Sequence, residues 1–147
     1  MTPSARLLLI GLVAGLAGCQ GGPTAPTLAD LQRAQAAWAA HHLTRYAYRY
    51  QTTGFFNALD GRAMRLVVLG DTVRSAQFVA TNDSVPVVPA TLPTIDALFA
   101  EAIAARAGGT LVTALFDPVF DYPTRLEFSG PPDAGGVVVA SAIELLP

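Results

Sequence analysis

Lysine is absent from this sequence, and cysteine and histidine are nearly so. All nine basic residues are arginines, which removes lysine Schiff-base and general-base chemistry. The one cysteine, Cys19, cannot form a disulfide within the chain, and the two histidines do not make a paired-histidine zinc motif. Nucleophile motifs of the Gly-x-Ser-x-Gly type and glycine-rich phosphate loops are also missing. These absences predict a protein that is not an enzyme, with no catalytic residues, no metal and no cofactor.

Charge is scarce as well. Charged residues make up 14% of the 147 residues, and the formal net charge is −2 at pH 7. Nucleic-acid binding needs basic residues gathered on one face, whereas these arginines are spread along a mildly acidic chain. We therefore expect no nucleic-acid partner. The length is that of one domain.

The single cysteine ends an apolar run near the start of the chain. Arg6 precedes this run over residues 7–16, and the small residues Ala17 and Gly18 separate it from Cys19. The run is too short to span a bilayer, which takes about 20 residues, and it has the layout of a cleaved leader. An ordinary secretory signal would leave Cys19 incidental. Small residues directly before a cysteine are instead typical of bacterial lipoproteins.

The likeness to bacterial lipoproteins implies that residues 1–18 are a signal peptide and that acylated Cys19 anchors the protein in a membrane. Stable anchoring takes more than one acyl chain. Gln20 stands where an aspartate would favour the inner membrane of a Gram-negative cell, so we expect an outer-membrane location facing the periplasm. Residues 19–26 are rich in glycine and proline and predict a flexible tether.

Residues 27–147 predict a single folded domain that begins with a helix. Thr27 and Asp30 have the spacing of a capping box. Apolar residues at helical spacing predict a helix over residues 28–41, with Trp38 as its main buried anchor. The period then changes to two, which indicates a strand with a row of tyrosines on one face: Tyr46, Tyr48 and Tyr50. We interpret the row as a sheet face beneath a helix, and an aromatic ligand platform is the alternative.

The rest of the domain predicts one more helix and five more strands. Strands are expected over residues 62–69 and 72–80, joined by a two-residue turn at Gly70-Asp71. After a proline-rich loop, a second helix begins at Thr94 and ends at Gly108-Gly109. Three further strands are expected over residues 110–116, 124–129 and 137–145. The order α-β-β-β-α-β-β-β predicts an α+β fold, an antiparallel sheet with two helices on one face.

Two stretches carry polar groups that are candidates for a site. His41 and His42 are adjacent, and adjacent helical residues point about 100° apart, so we interpret them as structural residues at a helix end. Asp117, Asp121 and Tyr122 are candidate ligand-binding residues for a cation or a ligand hydroxyl. The alternative is structural, because an aspartate before proline commonly caps its own turn. A calcium site needs six or more oxygen ligands, which the neighbouring sequence does not supply.

Several of these features together resemble a family of bacterial lipoproteins of unknown function. They are the export cysteine, Trp38, Tyr46-x-Tyr48, the T-I-D-x-L-F segment over residues 94–99 and the F-D-P-x-F-x-Y-P segment over residues 116–123. In that family the helix reads T-I-x-x-L-F and the turn reads Y-D-P-x-Y-G-Y-P. The resemblance implies a secreted or lipid-anchored α+β domain. It transfers no catalytic residue, since the family has no established activity.

The chain departs from the family pattern in ways that bear on a cation site. Members often carry Cys-x-Cys after the first strand, where this chain has Gly-Phe-Phe-Asn over residues 54–57. Asp121 replaces the glycine of the turn, and the acidic residues that follow the next strand are reduced to Asp133. We therefore expect a non-enzymatic envelope lipoprotein that binds a protein or another envelope component. A small-ligand or cation-binding module centred on residues 117–122 is the alternative.

Overall fold

The computed structural model describes residues 25–54, 57–130 and 135–147. The predicted signal peptide, Cys19, most of the predicted tether and Asp133 lie outside the described residues. Two helices and six strands follow one another in the predicted order, so the α+β class is confirmed. Their bounds are α1 Leu28–Ala40, β1 Arg45–Thr53, β2 Met64–Leu69, β3 Thr72–Phe78, α2 Ile95–Ala107, β4 Leu111–Phe116, β5 Pro123–Phe128 and β6 Gly136–Leu145. A short 3-10 helix, Pro89–Thr91, lies between β3 and α2.

The six strands form one antiparallel sheet in the order β3-β2-β1-β6-β5-β4. The first and last strands therefore pair at its centre. The predicted tight turn joins β2 to β3, because Leu69 faces Thr72 across the ladder. Gly70 has a φ of +67° and the residue after it does not have a positive φ, which is the backbone of a type II′ hairpin turn.

The core lies between the sheet and the two helices. The tyrosine row of β1 faces the helices, and Tyr46 and Tyr48 are each only 1% exposed, so the sheet-face interpretation is confirmed. Trp38 of α1 is 3% exposed and meets the Tyr46 ring edge-on at a centroid distance of 5.4 Å. The β2–β3 side of the core is closed by the segment after β3. There, buried Val85 donates its backbone N–H to Ala76 at 3.0 Å.

The two halves share an element order but are not a structural repeat. Strands β1–β3 and β4–β6 follow the same sense across the sheet, yet β4 runs opposite to β1. A rotation that reverses strand direction and keeps the strand order also turns the sheet over. That rotation would place the helices on opposite faces, whereas Tyr46 touches Trp38 of α1 and Ile95 of α2 on one face.

Both helices begin as the sequence predicts. Thr27 and Asp30 form the capping box, since each backbone N–H bonds the other side chain at 3.1 Å. The Thr94 hydroxyl caps α2 by accepting the N–H of Ala97 at 3.2 Å. The outward face of α2 carries four exposed alanines beside the exposed acidic residues Asp96 and Glu101: Ala97, Ala100, Ala104 and Ala107. Among the described residues, neither helix has the length and apolar character required to cross a membrane.

Candidate functional site

The turn between β4 and β5 is built around Asp117. Its Oδ1 accepts the backbone N–H groups of Val119 at 2.9 Å and Phe120 at 2.8 Å. The turn is closed by two backbone bonds, from Asp117 N–H to the Tyr122 carbonyl and from Asp121 N–H to the Asp117 carbonyl. Asp117 therefore makes the turn cap that the Asp-Pro sequence predicts. One oxygen of this carboxylate is already occupied by backbone donors.

Asp121 faces the end of α1. Its Oδ2 lies 3.6 Å from Nε2 of His41, and both side chains are partly exposed. The His41 ring also meets the Phe120 ring edge-on at 5.4 Å. His41 is the C-cap residue of α1, and exposed His42 follows it with a φ of 52°. Both histidines thus lie where the helix ends, and His41 ties that end to the turn.

Tyr122 belongs to the core. It is 3% exposed, and its ring meets Trp38 edge-on at 6.3 Å. Burial first, and then the nearby Asp117 carboxylate, raises the pKa of Tyr122. The three predicted site residues are therefore neighbours along one turn, but each already has a local role. In the described part of the chain, no three His, Cys, Asp or Glu residues are placed to hold a metal ion.

Two tyrosine hydroxyls hold the start of α2. Tyr46 accepts the backbone N–H of Ile95 at 3.2 Å, and Tyr48 donates to the carbonyl of Pro93. Burial raises the pKa of Tyr46 to about 12 and the pKa of Tyr48 well above its usual value. Sequence reasoning placed these rings beneath a helix but did not predict the bonds. Their partners lie 45 or more residues away along the chain.

The side of the sheet opposite the two described helices, hereafter the open face, carries the side chains that alternate with the core. On β1 and β2, Arg49 and Arg65 lie directly opposite each other. Like charges in facing positions repel. Glu144 reduces this repulsion through an ion pair with Arg65 at 2.6 Å. Both arginines lower the pKa of Glu144. Arg49 is exposed and makes no ion pair within the described residues.

A cavity of about 330 Å³ opens at the end of the sheet where β1 finishes. It is lined by Tyr50, Thr52 and Met64 of the sheet, by residues 57–59, and by Val87 and residues 91–93. The Thr52 hydroxyl is used, since it donates to Asp60 at 2.7 Å. Sequence reasoning missed this cavity because it depends on how two loops fold back over the sheet.

Comparison with known protein families places most of the chain in a known family. A family of unknown function (DUF6174) matches residues 30–135, which include the tyrosine row, α2 and the Asp117 turn. No curated protein matches the chain, and no solved structure matches it. Since the matched residues make up more than half of the sequence, the chain belongs to this family of unknown function.

Proposed function

We propose that the protein is a lipid-anchored component of the bacterial cell envelope, held by acylated Cys19, whose folded domain binds another envelope component and catalyses no reaction. The observation that carries this proposal is the order of residues 6–19, in which arginine, an apolar run and two small residues precede the single cysteine. Helix α1 begins directly after the capping residue Thr27. In this proposal, the glycine- and proline-rich residues 19–26 form a short tether between the anchor and the folded domain.

The open face is the surface that we assign to the partner. Its two glutamates are engaged, Glu144 by Arg65 and Glu127 by Arg125, each at 2.6 Å. Arg49 is left with guanidinium donors that match a carboxylate or a phosphate. The partner expected here is an acidic component of the envelope.

A cation-binding module at residues 117–122 is the second candidate, and the geometry favours it less. One carboxylate oxygen of Asp117 already accepts two backbone hydrogen bonds, and the Asp121 carboxylate faces His41. Calcium binding by this turn would give measurable heat on titration and would raise the melting temperature. Either effect, abolished by Asp121→Asn, would favour the cation-binding module over our proposal.

The anchor is tested by Cys19→Ser in a Gram-negative host. We expect the variant to leave the membrane fraction, because it lacks the acyl chains that hold the protein there. Gln20→Asp is the matched control, since it retains the cysteine and should stay attached but move to the inner membrane. Continued tight attachment of Cys19→Ser would contradict the lipid anchor.

The binding surface is tested by crosslinking in intact cells followed by mass spectrometry. We expect the chain to capture a partner and expect Arg49→Gln to reduce that capture several-fold. Arg33→Gln is the control, because Arg33 is an exposed arginine on α1 and lies on the other side of the molecule. Equal loss in both variants, or capture of no partner at all, would contradict an acidic partner on the open face.

A further inference from the structure

The two edges of the sheet are protected very differently. At the β3 edge the chain folds back, so that Ser84 bridges Gln77 and Phe78 donates its N–H to the Asp83 carbonyl at 2.9 Å. At the β4 edge, no segment among the described residues pairs with the outer side of the strand. Proteins usually guard such an edge with charge, proline or a covering segment.

Strand β4 lacks all three protections among the described residues, and the pairing irregularities that can also protect an edge lie only at its two ends. Its sequence, Leu-Val-Thr-Ala-Leu-Phe, contains no charged residue and no proline. Val112 and Leu115 are 44% and 49% exposed. The pairing with β5 is regular over residues 113–115 and shifts register on either side. The edge therefore presents a regular stretch of three residues beside exposed apolar side chains, and alternate residues along it direct free backbone N–H and C=O groups outward.

This edge is complementary to itself. In an antiparallel pair, facing residues must project from the same side of the sheet. A two-fold axis at Ala114 meets this condition, since it places Ala114 opposite Ala114 and Thr113 opposite Leu115 of the second copy. Thr113 lies beside Glu127 on β5 and Leu115 lies beside Arg125. Across the contact between the two β4 strands, the neighbouring side chains are therefore Glu127 and Thr113 of one copy, followed by Leu115 and Arg125 of the other. No like charges face each other.

We propose that the outer edge of β4 pairs with the same edge of a second copy of this chain, joining two sheets into one. A closed two-fold pair of this kind leaves no free β4 edge to recruit more chains. The contact is short and is weak in dilute solution. Confinement to one membrane surface would strengthen it by raising the local concentration, and that part of the argument rests on the proposed lipid anchor.

Disulfide trapping tests the pair. Facing β-carbons in an antiparallel ladder lie about 4.5–5.5 Å apart, close to disulfide reach. In the full chain, purified in mild detergent and mildly oxidised, Ala114→Cys should give several-fold more linked dimer than Val119→Cys. Val119 is 65% exposed and lies in the turn beyond the edge. The unsubstituted chain reports any crosslinking through Cys19.

A charge exchange separates pairing from misfolding. Leu115→Glu, added to Ala114→Cys, should lower the dimer yield, because a charge then faces Thr113 of the second copy. Adding Thr113→Lys should restore it through Lys–Glu pairs between the two β4 strands, and each new charge also suits its own neighbour, Arg125 or Glu127. Equal yields from positions 114 and 119, or no recovery in the exchanged variant, would overturn the proposal. So would a monomer that binds an uncharged extended peptide at β4 instead.

Discussion

At the residue scale, Asp121 holds a backbone conformation that suits glycine. Its φ is +62°. This lies in the left-handed region, where residues other than Gly, Asn and Asp have an unfavourable conformational free energy. The Asp121 carboxylate also contacts His41 at 3.6 Å, and both side chains are partly exposed. This contact is an interaction that glycine could not make.

We predict that Asp121→Gly is more stable than Asp121→Ala by about 1 kcal/mol. Both substitutions remove the carboxylate and its contact with His41, so their difference reports the backbone alone. Urea unfolding followed by circular dichroism gives the two free energies. If both variants were equally stable, the positive φ would not be a source of strain.

The tyrosine hydroxyls differ in their hydrogen bonds, so replacing each tyrosine by phenylalanine should change the unfolding free energy by different amounts. Tyr46→Phe would leave the buried N–H of Ile95 without its acceptor, and we expect a loss of about 1–3 kcal/mol in unfolding free energy. Tyr50→Phe is the matched control, because the Tyr50 hydroxyl makes no hydrogen bond within the described residues. Thermal melting of both variants measures the difference. A Tyr46→Phe variant as stable as Tyr50→Phe would show that this bond does not anchor α2.

Residues of the candidate site were predictable where their partners are close in sequence. The Asp117 cap follows from Asp-Pro, since the bonded N–H groups come two and three residues later. The contact between His41 and Asp121 was not predictable in this way. It exists only because α1 ends beside the β4–β5 turn, and that placement depends on the strand order. The Arg49–Arg65 contact on the open face depends likewise on the register between β1 and β2.

At the element scale, local signals defined the helices and strands but not their arrangement. The capping box, the tyrosine alternation and the Gly70 turn placed α1, β1 and the β2–β3 hairpin to within one or two residues. Nothing local indicated that β6 inserts beside β1. That pairing brings together strands at opposite ends of the chain, and it includes a register shift between Ala47 and Arg49.

The end of β1 is packed so closely that it tolerates no side chain. Gly54 has a φ of +86°, and a β-carbon there would lie 2.5 Å from the carbonyl oxygen of Gly135. Gly70 has a similar φ of +67°, but a β-carbon there meets nothing within 4 Å. The two positions thus share a conformational requirement and differ in available space.

We predict that Gly54→Ala costs more stability than Gly70→Ala. The Gly70 substitution should cost about 1–2 kcal/mol from the left-handed conformation alone. The Gly54 substitution adds a backbone clash between neighbouring strands, and roughly 3 kcal/mol in total is expected. Chemical denaturation of the two variants provides the measurement. Equal losses would mean that the two segments that meet at Gly54 and Gly135 move apart at little cost in free energy.

At the scale of the whole molecule, a chain with a single cysteine is stabilised by its core, and the buried residues of that core include four tyrosines: Tyr46, Tyr48, Tyr50 and Tyr122. Burial raises the pKa of Tyr46 and the pKa of Tyr50 to about 12, with Glu101 and Asp60 adding to the effect at Tyr50. Burial also raises the pKa of Tyr48 and the pKa of Tyr122. Folding therefore favours the protonated form of all four tyrosines, whereas the unfolded chain ionises them near pH 10.

This coupling predicts alkaline unfolding. Below pH 10 the folded and unfolded chains bind the same tyrosine protons and the stabilisation is complete. As the pH rises from 10 towards 12, the unfolded chain alone loses these protons, so each buried tyrosine lowers the unfolding free energy by about 1.4 kcal/mol per pH unit. No lysine titrates in this window, which leaves the tyrosines as the dominant groups.

Melting temperature and phenolate absorbance, followed together from pH 8 to 12, test the coupling. We expect the phenolate signal of the buried rings to appear only as the secondary structure is lost. Tyr50→Phe should reduce the slope of stability against pH by about one quarter, because one of four coupled tyrosines is removed. Ionisation of the tyrosines near pH 10 in a chain that remains folded would contradict the prediction, and would mean that water reaches the row beneath the helices.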